Sequence, residues 1–146
     1  MSNTGNFLAS GQKGENSDIV IWDYNQKQAI FRLSEHDHEV VNLAFSHDDR
    51  LLMSTGNTLD GKMFIWNMTN GHIVAQMPIC PSVFTEAPKC IAWGGMVKDV
   101  KLRQTMNYQF AISGAKKMIL WQLVPATGQL LSEIINTGSH VRDYIC

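Results

Sequence analysis

The chain lacks the features that would place it in several large protein classes. No apolar run is longer than four residues, as in Ile19-Val20-Ile21-Trp22 and Met118-Ile119-Leu120-Trp121, far below the roughly 20 residues that a bilayer-spanning helix needs. No positive stretch leading into an apolar core opens the sequence, so no secretory signal is visible and a soluble, cytoplasmic protein is expected. An excess of charge of one sign is also missing. Twelve Lys and Arg stand against 13 Asp and Glu, a net charge of −1, which argues against coating nucleic acid by bulk electrostatics. Charged residues make up 17% of the chain, too few for a disordered tail. Cysteine is scarce: Cys80, Cys90 and Cys146 stand 10 and 56 residues apart, spacings that match no zinc motif, so ordinary thiols are expected. What is present is 146 residues, 45% of them hydrophobic, enough for one globular domain.

Internal repetition carries the main signal. Three segments run apolar residues into a tryptophan: Asp18-Ile19-Val20-Ile21-Trp22-Asp23, Lys62-Met63-Phe64-Ile65-Trp66-Asn67 and Lys117-Met118-Ile119-Leu120-Trp121-Gln122, with the tryptophans 44 and 55 residues apart. Ahead of each lies an element with a small hydroxyl residue and glycine: Ala9-Ser10-Gly11, Ser54-Thr55-Gly56 and Ile112-Ser113-Gly114. Behind each come a turn and another short apolar strand, the turns marked by Asn70-Gly71, Pro125 and Thr127-Gly128. A further strand per unit is read at Val40–Ser46 and at Lys89–Trp93. No segment shows capped helical periodicity, so the chain reads as all-β. Units of four short strands repeating every 40 or so residues are the blades of a propeller.

Strands are therefore expected near 7–11, 18–24, 29–33, 40–46, 50–55, 62–68, 73–77, 89–93, 108–113, 117–123 and 129–134. The expected units are 1–38, lacking its first strand; 39–80; 81–137, with an insertion near 94–107; and the start of a further blade at 138–146. This is a partial propeller of nearly three four-stranded antiparallel blades. Fewer than three blades cannot close a ring, so the remaining blades are expected from a longer chain or from another subunit.

The second unit resembles the WD-repeat family in His36, Leu43-Ala44-Phe45-Ser46, Ser54, Asp60-Gly61 and Trp66. The resemblance implies that His36, Ser54, Asp60 and Trp66 form a buried structural network, with Trp22 and Trp121 at the matching positions of the other units. The first unit lacks the aspartate at the corresponding turn spacing and the third has neither the histidine nor the aspartate, so both are expected to hold mainly by packing. The element Ala9-Ser10-Gly11-Gln12, the lengthened loop Lys13 to Ser17 and Ile21-Trp22-Asp23-Tyr24 resemble the cilia- and flagella-associated, microtubule-binding WD-repeat proteins. That likeness implies a non-catalytic protein-interaction scaffold in the axonemal cytoskeleton, with tubulin or axonemal proteins as partners. The alternatives are a WD-repeat adaptor in ubiquitin ligation or vesicle traffic and, from a third class, an enzyme whose chemistry lies outside this sequence.

The residues argue against catalysis and against a bound cofactor or metal. His36-Asp37-His38 has two histidines at strand spacing but no third ligand nearby. Asp48-Asp49 and Asp60 fall in turns, where aspartate serves local hydrogen bonds. Gly11-Gln12-Lys13-Gly14 has neither the spacing nor the following helix of a phosphate loop. Neither a membrane nor a nucleic acid is expected as partner. The charge is nonetheless polarised, with −4 over residues 1–73 and +3 over residues 74–146. Lys98, Lys101 and Arg103 in the insertion, with Lys116 and Lys117 in the next hairpin, are the candidate contacts for an acidic protein.

Overall fold

The computed structural model describes residues 1–79, 86–114 and 117–135. Eleven strands occupy them: β1 (Phe7–Gly11), β2 (Ile19–Asp23), β3 (Gln28–Leu33), β4 (Val40–Phe45), β5 (Leu51–Gly56), β6 (Lys62–Asn67), β7 (Ile73–Pro78), β8 (Cys90–Lys98), β9 (Gln104–Ser113), β10 (Met118–Val124) and β11 (Gln129–Ile134). They form three antiparallel sheets: sheet 1 with order β1-β2-β3, sheet 2 with β4-β5-β6-β7 and sheet 3 with β8-β9-β10-β11. Each sheet is a simple meander, and the three do not close on one another. The chain is all-β, a partial propeller. The span 138–146, expected to begin a further blade, lies outside the described residues.

Every strand alternates its side chains between two faces, and the alternation decides how the sheets stack. Ile19, Ile21 and Leu33 of sheet 1 meet Leu52, Phe64 and Trp66 of sheet 2 in one core. Met53, Met63 and Ile65, from the other face of sheet 2, meet Phe110, Ile112, Ile119, Trp121 and Leu123 of sheet 3 in a second. Sheet 2 is thus covered on both faces, which is why all six residues of β5 are buried although Leu51-Leu52-Met53 shows no polar alternation. Trp22 and Ile30 of sheet 1, and Leu120 and Leu131 of sheet 3, face away from sheet 2 and are exposed.

Polar stitches join neighbouring sheets. Trp93 Nε1 donates to Ala44 O at 2.9 Å and Asn42 Nδ2 to Pro88 O at 2.7 Å. Gly11 lies so close to β4 that a Cβ there would sit 2.8 Å from Val40 Cγ1, so only glycine lets β1 approach. Sheets 1 and 2 also share a register shift in the outer strand pair opposite the tryptophan, between Ile21 and Trp22 and between Ile65 and Trp66. Sheet 3 pairs straight through Trp121.

Two expectations are corrected. The segment 94–107, read as an insertion between short strands, is mostly strand: β8 continues to Lys98, β9 starts at Gln104, and only residues 99–103 remain as a loop. Extra residues are absorbed as register shifts between Trp93 and Met96 and between Met96 and Lys98, because a continued hairpin pairs backbone groups that a loop leaves unpaired. Cys90 is disulfide-bonded, not an ordinary thiol. Spacing rules test for zinc motifs and do not tell which cysteines the fold brings together.

The two-sided burial of sheet 2 sets a contrast in stability. Ile65→Ala should cost about 2–4 kcal/mol in urea melts, because the cavity it leaves sits between sheets. Leu120→Ala, on the uncovered face of sheet 3, should cost under about 1 kcal/mol. Equal costs would show that the faces are not packed as described.

Candidate functional site

The turns of the meander put the chain's loops on two edges of the stacked sheets. One, the network edge, carries the loops that contain His36 and Asp60. The other, the hairpin edge, carries the β4–β5 turn (46–50), the β6–β7 turn (68–72), the β8–β9 tip (99–103) and the β10–β11 turn (125–128).

At the network edge His36, Ser54, Asp60 and Trp66 are brought into one buried chain of hydrogen bonds. Trp66 Nε1 donates to Ser54 Oγ at 2.9 Å, Ser54 Oγ meets His36 Nε2 at 2.9 Å, and His36 Nδ1 meets Asp60 Oδ2 at 2.7 Å. Each proton has an acceptor when the serine hydroxyl donates to Nε2 and Nδ1–H donates to the carboxylate. Asp60 Oδ1 also accepts from Asp37 N at 2.7 Å and His38 N at 3.1 Å, so the aspartate ties the β3–β4 loop to the β5–β6 turn. Gly56 allows this seat, since a Cβ there would overlap the Asp60 carboxylate. Both His36 nitrogens are engaged, which leaves no lone pair for a metal. Ser54 is fully buried, so this Ser-His-Asp set has no nucleophile open to a substrate.

The other two tryptophans differ from Trp66 in ways the sequence hid. Trp22 Nε1 donates to Ser10 Oγ at 3.0 Å, but Trp22 is 37% exposed, against 2% for Trp66. Trp121 is buried, and its Nε1 finds no partner among the described residues. Strand register explains the orphan. Trp22 pairs with Leu8 and Trp66 with Leu52, so the serine two positions further on is Ser10 or Ser54; Trp121 pairs with Phe110, and two positions on is Ile112. Ser113 points to the other face, and aligning it by its neighbouring glycine hid the one-residue slip.

The hairpin edge holds the candidate contacts. Asp49, in the β4–β5 turn, accepts from Asn3 N and Thr4 N at 2.8 Å each and from Thr4 Oγ1 at 2.7 Å, tying the N-terminal segment to sheet 2. Burial alone would raise its carboxyl, but the Thr4 and Asn3 bonds more than offset it and hold the carboxyl below the usual carboxylate range. On the other side, Tyr108 of sheet 3 donates to Asp48 Oδ2 at 2.7 Å. Burial and the Asp48 carboxylate together push the Tyr108 hydroxyl up to about 12, while bonds from Tyr108, Ser46 and the Arg50 amide outweigh burial and lower Asp48. One turn therefore anchors both neighbours of sheet 2.

Lys98, Lys101 and Arg103 surround the β8–β9 tip. Asp99 organises it: Oδ1 accepts from Lys101 N at 2.8 Å and Arg103 N at 2.9 Å, and Oδ2 pairs with the Arg103 guanidinium at 2.9 Å. Lys117 lies at the opposite, network edge, since β9 crosses the whole sheet between the two sites. Lys116 lies outside the described residues. The basic residues close in sequence thus do not form one patch. Among the described residues no three His, Cys, Asp or Glu side chains are grouped to hold an ion.

Residues 27–67 match the family described as WD domain, G-beta repeat. That stretch is a WD repeat. The matched stretch takes β3 of sheet 1 and β4 to β6 of sheet 2, one strand out of phase with the sheets. The chain is 38% identical over 92 residues to cilia- and flagella-associated protein 52 of Chlamydomonas reinhardtii, covering 61% of this chain and 15% of that protein. It is 29% identical to the mouse protein of the same name over 94% of this chain and 23% of that protein. It is also 36% identical to the B-type cell cycle switch protein ccs52B of Medicago truncatula, over 64% of this chain and 18% of that one. Among solved structures, the Cps50 (Swd1) β-propeller domain of Myceliophteria thermophila superimposes with a TM-score of 0.70 at 18% identity, covering 94% of this chain and 38% of that one. The chain therefore spans under a quarter of these curated relatives, and the propeller neighbours share its fold.

Two measurements test these assignments. Trp66→Phe should cost about 1–2 kcal/mol more than Trp121→Phe, because only the first takes a donor from a buried serine. Matching losses in urea melts would remove the network from Trp66. For the Tyr108–Asp48 bond, the raised tyrosine makes its share of stability complete below about pH 10 and lost as pH rises towards about 12. The lowered Asp48 makes its share present above the ordinary carboxylate range and lost on further acidification. Tyr108→Phe should flatten the alkaline limb of the stability profile; an unchanged limb would show that the bond does not form.

Proposed function

We propose that this chain is a non-catalytic WD-repeat scaffold of the ciliary or flagellar cytoskeleton, joining axonemal proteins to microtubules. The observation that carries the reading is the similarity to cilia- and flagella-associated protein 52, which in the mouse protein extends over 94% of the chain. A second relative, centriole proteome protein 16 of Chlamydomonas reinhardtii, is 30% identical over 73% of this chain and 4% of that protein, and its name points to the same cytoskeletal setting. The buried Ser54, His36 and Asp60 are consistent with a structural use of the residues that elsewhere serve hydrolysis. The uncovered apolar faces of sheets 1 and 3 take further blades, supplied by a longer chain or another subunit. Lys98, Lys101 and Arg103 supply the positive side of the contact with an acidic filament.

The competing reading is a WD-repeat adaptor, favoured by the similarity to the cell cycle switch protein. Co-sedimentation with assembled microtubules separates the two. The wild-type protein should pellet, and Lys98→Glu/Lys101→Glu/Arg103→Glu should pellet less, with a difference that shrinks as salt shortens the Debye length from about 10 Å at 0.1 M. Equal pelleting would remove the tip from the contact. No pelleting of either would favour the adaptor.

A further inference from the structure

The β8–β9 tip is basic, and it is also apolar in a way that folding does not use. Val100 is 100% exposed, Leu102 78% and Met106 70%. Leu102 also holds a left-handed backbone with φ of +60°, in a turn closed by its N–H on Asp99 O at 2.9 Å. Glycine or asparagine takes that conformation with less strain. Leucine here is thus unfavourable for the backbone and buries almost nothing within the chain. Met106 leads down to a cleft of about 620 Å³ between sheets 2 and 3 at the same edge, walled by Leu51, Tyr108, Pro125 and Ala126, with Arg50 at its rim.

Charge around this surface is of one sign after pairing. Asp99 is engaged by Arg103, and Asp48 takes the Tyr108 hydroxyl, leaving Arg50 3.9 Å from it. Lys98 and Lys101 have no carboxylate partner among the described residues. Four cations against two carboxylates leave about two positive charges beside three exposed apolar side chains and a groove.

We propose that the β8–β9 tip and the cleft at its base form one docking surface for an acidic polypeptide segment that carries apolar side chains. This rests on the scaffold reading above and names the chemistry of the partner. Val100 and Leu102 bury against the partner's apolar residues, one apolar side chain of the partner enters the cleft beside Met106, and Lys98, Lys101 and Arg50 meet its carboxylates. Two net charges and an acidic residue at the centre of the tip suit a protein surface better than an anionic membrane, whose hold on a polybasic segment grows with each added lysine or arginine.

The probe is a fluorescein-labelled, glutamate-rich peptide with one central leucine, read by anisotropy on the intact chain. Val100→Ser/Leu102→Ser should weaken binding by about tenfold or more at low and moderate salt with an unchanged circular dichroism spectrum. Lys98→Glu/Lys101→Glu should weaken it mainly at low salt. A peptide with serine in place of leucine should bind wild type as poorly as the original peptide binds the apolar double variant. Equal binding by wild type and that variant, or no binding by wild type, overturns the proposal. Stronger retention on phosphatidylserine vesicles than on the peptide overturns it in favour of a membrane. Microtubule pelleting reports separately: a chain that pellets but ignores the peptide keeps the filament reading and loses this one, and the reverse result keeps this one alone.

Discussion

The structure depends on one constraint: a four-stranded sheet has two apolar faces and cannot cover either by itself. Sheet 2 resolves this by lying between its neighbours, so that Trp66 and Phe64 pack on Ile19 and Ile21 while Met63 and Ile65 pack on Ile119 and Trp121. Repetition of the unit is the means by which each face finds a mate. Hydrogen bonds between sheets, such as Trp93 to Ala44 and Tyr108 to Asp48, fix the stacking height after burial has brought the faces together.

The same constraint explains why the three tryptophan positions have separate fates. Each tryptophan faces the sheet that precedes it in the chain. Trp66 and Trp121 have such a sheet and are buried, whereas Trp22 has none among the described residues and stays partly exposed while still bonded to Ser10. Within sheet 2 the buried polar network is fully satisfied, which is what makes an ionisable group tolerable there. Sheet 3 takes the other route: with Ile112 where the serine would stand, it exchanges a hydrogen bond for apolar packing and leaves the Trp121 N–H without a partner among the described residues.

A rigid stack of this kind also frees its edges for variation. Turns on the hairpin edge carry little of the core, so β8 and β9 extend past their neighbours without disturbing the faces. The extension carries exposed apolar side chains, Val100, Leu102 and Met106, that the stack does not bury.

Much was legible in the residues themselves. The spacing of three tryptophans, the glycine-marked turns and the short apolar runs determined an all-β repeat, and local pattern suffices there because strand alternation and turn chemistry act within a few residues. The quartet of His36, Ser54, Asp60 and Trp66 was legible through its family likeness. What only the tertiary structure decided is anything that depends on register or on which edge a loop occupies. The slip that makes Ile112 and not Ser113 the partner position of Trp121 is a shift of one residue, invisible in an alignment by neighbouring glycine. Lys98 and Lys117 are 19 residues apart in sequence yet at opposite edges, because a strand the length of β9 carries the chain across the sheet. The length of β8 and β9 depended on bulges that no period-two pattern reveals, and with it the placing of Val100 and Leu102 at an exposed tip. Local sequence specifies the unit, while pairing between distant strands specifies its neighbours.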